Sequence, residues 1–190
     1  MSLWANILGY QVVWFVAVCG AGRGLAWPGV TAAGIFAAWQ LALSADRALD
    51  GRLILLALAL GALLDGTLAA AGLLHYAAPA PALPPGGAPV WILALWLAFA
   101  LTLNRSLRWF QGKALLSALF GALGGPLAYA GAARLAGAVT FAAPVWRDEV
   151  ALGAGWGAAF ALLSSMGLRW RAMGAAAQPG PGRGFSLIPS

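Results

Sequence analysis

Six long apolar runs, separated by short polar breaks, constrain the fold of this 190-residue chain more than any other feature. The hydrocarbon core of a bilayer is about 30 Å thick, and a helix needs about 20 apolar residues to cross it. Because every backbone amide in lipid must be paired within the protein, such runs are expected to be helices. The predicted helices are Leu3–Gly20, Pro28–Leu43, Leu53–Leu74, Pro89–Trp109, Ala114–Ala136 and Val150–Trp170. The second is the shortest, and the sequence leaves open whether it crosses fully.

The composition supports the same fold class. The chain is 62% hydrophobic and 8% charged, whereas soluble domains carry roughly a quarter charged residues. Its net charge of +6 does not indicate nucleic-acid binding. The basic residues lie between the apolar runs and do not cluster on one soluble face. We therefore predict an all-α membrane protein, a bundle of about six transmembrane helices. Residues 1–172 would form the polytopic transmembrane domain and residues 173–190 a disordered C-terminal tail.

Basic residues are distributed unequally over the two sides of such a bundle. One side would carry both termini and eight basic residues, which are Arg47, Arg52, Arg105, Arg108, Lys113, Arg169, Arg171 and Arg183. The other side would carry three, which are Arg23, Arg134 and Arg147. Positive residues in short loops favour the cytoplasmic side, so both termini are expected in the cytoplasm. Tryptophans near the predicted helix ends fit an interfacial belt, namely Trp4, Trp27, Trp91, Trp109, Trp146 and Trp170.

Asp65 is the only ionisable side chain between Leu53 and Leu74, and it lies near the middle of the third apolar run. A charge at the centre of the bilayer costs on the order of 3 kcal/mol on insertion scales. Gly61, four residues earlier, and Gly72, seven residues later, share the helical face of Asp65. Since small residues on one face let another helix approach closely, Asp65 is expected to point into the bundle.

The fifth run offers the surface that Asp65 would meet. Its small residues recur at steps of three and four and include Gly125, while Pro126 is expected to kink the helix because it lacks an amide hydrogen. The predicted contact is an Asp65–Arg134 pair bridged by Tyr129. Two roles for Asp65 stay open. It is either a proton carrier or substrate ligand, or a structural hydrogen-bond acceptor that locks the third and fifth helices together.

A second polar cluster, LTLNRSLRWF at residues 101–110, ends the fourth run. Its arginines are expected to snorkel towards phospholipid headgroups, and the alternative is a site for an anionic lipid head with Asn104 turned inward. Asn6 and Gln11 on the first helix could complete an inner polar patch with Asn104. The candidate functional polar residues within the membrane are therefore Asp65, Asn104, Tyr129 and Arg134.

No sequence pattern indicates an enzyme with a cofactor. No glycine-rich loop precedes a soluble strand–helix unit, one histidine is too few for a convincing catalytic triad, and the single cysteine excludes a multi-cysteine metal site. We expect no cofactor and no metal, and membrane lipid as a partner. The helix-packing patterns Gly121–Gly125 and Gly153–Gly157 are weak support for dimerisation in a chain with 26 glycines, so the oligomeric state stays open.

Several motifs together resemble a known family. They are LWANILGYQVVWF, GALLDGTL, PVWILALWLAFALTLNRSLRWF and FGALGGPLAYAGAARLAGAV. Over residues 3–141 they resemble the bacterial membrane family catalogued as domain of unknown function 2878, which has no assigned activity. By this resemblance the family's motif positions are Asn6, Trp14, Asp65, Pro89, Trp91, Trp96, Asn104, Ser106, Gly125, Pro126, Tyr129 and Gly131.

The resemblance also implies a setting for the protein. Relatives are often encoded beside genes for cyclopropane-synthase-like and flavin amine-oxidase-like proteins, which implies a link to membrane-lipid modification and a lipid-modifying enzyme as a partner. We expect an uncharacterised, multi-pass protein of the bacterial inner membrane, a non-catalytic component or scaffold. The alternatives are a small-solute or lipid transporter that uses Asp65 and the Pro126 kink, and a membrane enzyme that uses Asp65 and Arg134.

Overall fold

The computed structural model describes residues 2–176, in which apolar helices dominate. The α-helices are α1 (Leu3–Ala21), α2 (Trp27–Ala42), α3 (Arg47–Ala70), α4 (Val90–Ala100), α5 (Ala114–Ala136) and α6 (Val145–Ala176). Short strands lie between them, β1 (Leu74–Tyr76), β2 (Ala82–Leu83), β3 (Ala88–Pro89) and β4 (Val139–Phe141), with a 3-10 turn at Arg108–Phe110. Four helices, α1, α3, α5 and α6, are long and apolar enough to cross a membrane. The protein is therefore an α-helical membrane protein.

Side-chain contacts define two ends of the bundle. At one end, here called the polar end, Asn6 of α1 donates to Gln40 near the end of α2, and Arg171 near the end of α6 donates to Asn104. At the other end, the strand end, β1 pairs antiparallel with β4 and β2 pairs antiparallel with β3. The start of α1 and the end of α6 thus lie at the same end of the bundle.

The second predicted helix runs the length of the bundle beside α1. Pro28 occupies the first turn of α2, where its missing amide hydrogen is not needed. Near the strand end, Gly29 packs against Ala17 of α1, and at the polar end Gln40 is fully buried. At 1.5 Å per residue these two contacts lie about 17 Å apart, and the 16 residues of α2 cover about 24 Å in all.

The third helix begins earlier and ends earlier than the sequence predicts. Asp46 caps its N-terminus, because the side-chain oxygen accepts a hydrogen bond of 2.9 Å from the amide of Leu49. The helix ends at Ala70, and Asp65 therefore lies in its last two turns and not near its middle. Gly72, with a positive φ of 68°, follows the helix and does not share the face of Asp65.

The fourth helix is much shorter than predicted. It ends at Ala100, and residues 101–107, here called the unwound segment, continue as turns. Gln111 donates a hydrogen bond of 3.0 Å to the carbonyl of Leu103, and Asn6 donates one of 3.4 Å to the carbonyl of Leu101. In a continuous helix these two carbonyls would accept hydrogen bonds from backbone amides of the next turn. Here side chains donate instead, and backbone groups within a membrane need such partners inside the protein.

The sixth helix is longer than predicted at both ends. It begins at Val145 and continues to Ala176, so the first four residues of the predicted tail are helical. The rest of the predicted disordered tail lies outside the described residues.

Glycines bring α5 and α6 into close contact. A Cβ at Gly121 would overlap the backbone carbonyl of Trp156, and a Cβ at Gly157 would lie 3.0 Å from the carbonyl of Ala118. The two GxxxG patterns therefore pack against each other within one chain. They are not free surfaces for a second copy, which removes the dimerisation argument made from them.

We predict that Gly125→Leu destabilises the protein by about 1 to 3 kcal/mol, because the new side chain overpacks the α5–α6 contact. A Cβ at Gly125 would lie 2.6 Å from Cδ1 of Trp156. The matched control is Gly34→Leu, since Gly34 is exposed on α2 and has no atom within 4 Å of its Cβ position. Thermal unfolding in detergent measures both variants. Equal stability of the two would contradict the packing described.

Candidate functional site

The Asp65 carboxylate is fully buried and accepts three hydrogen bonds from aromatic side chains. Tyr76 donates its hydroxyl to Oδ1 at 2.8 Å, and Trp96 donates its indole N–H to Oδ2 at 2.7 Å. Tyr129 of α5 also donates to Oδ1. Gly61, one turn before Asp65, leaves room for the Trp96 ring, because a Cβ there would overlap the indole. The carboxylate thus fixes the positions of three rings.

Arg134 does not take part in this cluster, and the predicted Asp65–Arg134 pair is not formed. Arg134 is exposed, and among the described residues the ion pair that forms joins Arg105 to Asp50 at 3.3 Å. Arg134 lies five residues beyond Tyr129, which places it about 140° further round the helix. Its side chain therefore points away from the face that Tyr129 presents to Asp65.

Tyr76 reaches Asp65 from outside the helices, through the β1–β4 pair. Its strand alternates, so that Leu74 and Tyr76 are buried while His75 between them is exposed. Burial first, and then the charge and hydrogen bond of Asp65, raise the pKa of the Tyr76 hydroxyl well above its usual value. Tyr76 therefore stays a hydrogen-bond donor throughout the physiological pH range.

Trp96 and Tyr129 also form part of the wall of a cavity of about 580 Å³, here called the cleft. Its other lining residues are Ile7, Tyr10, Gln11, Trp14, Val18, Trp91, Ile92, Leu95, Phe99, Thr102, Ser106, Leu107, Phe120, Gly121, Gly124, Gly125, Leu127, Ala128, Ala132, Val139, Trp156 and Phe160. The volume lies within the range of about 300 to 1,000 Å³ found for small-ligand sites. Asp65 itself lies behind the wall.

Stacked aromatic rings form the deep part of the cleft. The rings of Trp96 and Trp156 lie 4.0 Å apart and are inclined by 11°, and Phe99 meets Trp156 edge-on at 5.4 Å. Gly125 makes room for the Trp156 ring. The surface that a ligand would meet is therefore apolar and held rigidly by ring packing and by Asp65.

The cleft opens sideways between α1 and α5. Near the strand end the two helices touch, because Gly22 lies against the carbonyl of Ala136 and Trp14 packs beside Gly131. Further towards the polar end they separate, and a Cβ at Gly124 would meet only Cε1 of Phe120, at 3.9 Å. The flanks of this opening are exposed and apolar on both helices, with Leu8, Val12, Leu123 and Leu127 all more than half exposed.

Asn104, the second candidate from the sequence, lies in a network at the polar end and does not line the cleft. Its Nδ2 donates to Asp50 at 2.7 Å, and its Oδ1 accepts from Arg171 at 2.8 Å and from Gln111 at 3.0 Å. Arg105 bonds to Asp50 and so turns inward, contrary to the expected snorkelling.

The predicted patch of Asn6, Gln11 and Asn104 is not formed. Asn6 accepts a hydrogen bond of 2.6 Å from Ser106, whereas Gln11 is exposed and lines the cleft. Trp91 also departs from its predicted position in an interfacial belt. It is buried in the cleft wall and donates its indole N–H to the carbonyl of Ala78 at 3.0 Å. Trp4, Trp27, Trp109 and Trp146 are exposed, as the belt requires.

The fold and the cleft define an α-helical membrane protein with an apolar, laterally open cavity. The chain belongs to the family described as "Protein of unknown function (DUF2878)", which matches residues 3–162. This confirms the resemblance seen over residues 3–141 and extends it into α6. Comparisons with curated proteins and with solved structures give no match.

We predict that Asp65→Asn destabilises the protein less than Asp65→Leu. The asparagine carbonyl can still accept from both tyrosines, while its amide faces the Trp96 N–H and loses that bond. Leucine leaves three buried donors unpaired, at about 1 to 3 kcal/mol for each. Thermal unfolding in detergent ranks the two variants. Equal losses would show that the hydrogen bonds to Asp65 do not stabilise the fold.

Proposed function

We propose that the protein is a non-catalytic membrane component that holds one acyl chain of a membrane lipid in the cleft. The observation that carries this proposal is a large apolar cavity that opens sideways between two helices with exposed apolar flanks. A cavity of this kind inside a bilayer faces lipid chains, and within residues 2–176 no Lys, Arg, His, Asp or Glu side chain lines it. The surroundings and the lining thus favour the same ligand.

The length of the cleft supports an acyl chain as its occupant. It extends from Ile7 to Val18 along α1 and from Phe120 to Ala132 along α5, which corresponds to about 17 to 18 Å at 1.5 Å per residue. Two opposed chains make up a hydrocarbon core of about 30 Å. One chain is therefore about as long as the cleft.

The positions at which the chain matches the motifs of its family also favour the cleft as the functional site. Of the twelve motif positions, six line it, which are Trp14, Trp91, Trp96, Ser106, Gly125 and Tyr129. Asp65 bonds to two of these side chains and Gly131 packs against a third. Together with the link to lipid modification that the resemblance implies, this supports a role in presenting a lipid to a lipid-modifying enzyme.

A lipid or small-solute transporter is the second candidate, and the unwound segment favours it. Transporters often interrupt a membrane helix beside the substrate, and Thr102, Ser106 and Leu107 of the unwound segment line the cleft. Pro126 lies within α5, which continues without interruption from Ala114 to Ala136. The apolar lining fits a lipid better than a polar solute. The third candidate, an enzyme using Asp65 and Arg134, loses its support because these residues are apart.

We further propose six membrane crossings in a bacterial inner membrane, with the polar end in the cytoplasm. The alternation of helices between the two ends supports six crossings, and the eight-to-three distribution of basic residues supports the orientation.

Replacing Gly124 with Leu should block the cleft and remove the bound lipid. The new side chain would enter the cavity, and almost nothing opposes it, since only Phe120 lies within 4 Å of the Cβ position. Gly34→Leu, on the exposed face of α2, is the matched control. Native mass spectrometry of protein purified in mild detergent measures the lipid retained per chain. Equal retention in Gly124→Leu and Gly34→Leu would assign the lipid to the outer surface and reject the proposal.

The orientation predicts that a reporter active only in the periplasm gives no signal when fused to the C-terminus. The same reporter inserted into the loop between β1 and β2 should be active, because that loop lies at the strand end. The reverse pattern would invert the assigned orientation.

A further inference from the structure

Most polar groups in the wall of the cleft already have partners within the protein. Trp96 and Tyr129 donate to Asp65, and Trp91 donates to a backbone carbonyl. Thr102 and Ser106 donate their hydroxyl hydrogens to Phe99 and Asn6. These groups have no hydrogen left to offer a ligand.

Among the described residues, the donors of the wall that have no hydrogen-bond partner belong to Tyr10, Gln11, Trp14 and Trp156. The indole N–H of Trp156 is buried, the Gln11 side chain is exposed, and Trp14 lies where α1 and α5 touch. The hydroxyl of Tyr10 is therefore the donor best placed for a ligand near the polar end of the cleft.

Tyr10 lines the cleft, and its ring packs against Phe99 with the centroids 6.3 Å apart. Among the residues that the structure describes, no group forms a hydrogen bond with its hydroxyl. A donor left unpaired in an apolar site costs about 1 to 3 kcal/mol, so a ligand with an acceptor at this point would be favoured over one without.

Charge limits what that acceptor can be. In the part of the chain that the structure describes, no basic side chain lines the cleft, and the Asp65 carboxylate lies directly behind Trp96 and Tyr129. An anion in the cleft would be buried without a cation, which is strongly unfavourable. The acceptor is therefore uncharged. An ester carbonyl meets this condition, and an ionised carboxylate does not.

We infer that the acyl chain in the cleft is esterified and that Tyr10 donates a hydrogen bond to its ester carbonyl. Tyr10 lies near the polar end of the cleft, which leaves about 12 Å between Tyr10 and Val18 for the chain. The inference rests on the proposed function and adds the chemical class of the ligand, an ester lipid instead of a free fatty acid.

Three probes of equal chain length test the inference with the full chain in detergent micelles. They are a fatty acid methyl ester, the corresponding fatty acid at alkaline pH, and the corresponding alkane. The ester should bind about three- to tenfold more tightly than the alkane, which corresponds to one net hydrogen bond. The ionised acid should bind more weakly than the ester. Binding of the acid as tight as that of the ester would overturn the inference.

Tyr10→Phe supplies the second arm of the test. This variant should lower the affinity for the ester about three- to tenfold and leave the affinity for the alkane unchanged. Because the hydroxyl has no partner among residues 2–176, the melting temperature should not fall, and alkane binding reports directly that the cleft is intact. Unchanged ester affinity in Tyr10→Phe would reject the role of Tyr10.

Failure of the proposed function gives a different result. In that case none of the three probes binds, or all three bind equally well to Gly124→Leu and to Gly34→Leu. A probe that binds the parent chain but not Gly124→Leu locates the binding in the cleft, and only then does the order of the three probes decide the inference.

Discussion

The Asp65 carboxylate joins four secondary-structure elements. It belongs to α3 and receives hydrogen bonds from β1, α4 and α5. No cation lies among these partners, so the carboxylate is held by neutral donors alone. Hydrogen bonds to a charged group contribute more than those between neutral groups, at about 1.5 to 3 kcal/mol each. This explains how a chain with so few charged residues retains an acid in an apolar environment.

The same arrangement connects the acid to the cleft without exposing it. Trp96 and Tyr129 each present a ring to the cavity and a polar atom to Asp65. A tryptophan or tyrosine in an apolar wall needs a partner for its polar atom, and Asp65 provides one for both. Of the two roles left open by the sequence, the structure therefore favours the structural one. Under the proposed function, Asp65 would act on a bound lipid only through the rings that it positions.

The sequence was informative about faces of helices and uninformative about partners across the bundle. The inward position of Asp65 could be predicted because Gly61 shares its face. The same reasoning applied to Asp50 would have found another buried acid. Asp50, Leu53, Ala57, Gly61, Asp65 and Leu68 recur at steps of three and four and are all buried. Asp50 was missed because the predicted third helix began at Leu53 and so left Asp50 outside it, whereas α3 begins at Arg47.

Other contacts depend on tertiary structure that no local pattern reveals. Tyr76 reaches Asp65 only because β1 pairs with β4, more than sixty residues away. The end of α4 at Ala100 is equally hidden, since Leu101 and Leu103 follow it and the first charged residue is Arg105. Beyond Ala100, the carbonyls of Leu101 and Leu103 accept hydrogen bonds from Asn6 and Gln111 and not from a following turn of α-helix.

The network at the polar end has a consequence for the order in which the protein is built. Asn104 in the unwound segment bonds to Asp50, which the ribosome has already made, and to Arg171, near the end of α6. Chains are synthesised from the N-terminus, and early parts fold first. The fourth segment must therefore enter the membrane while one of its polar partners is not yet translated. Insertion and final packing are therefore separate events for this segment, and its hydrogen bonds are complete only after α6 has been made.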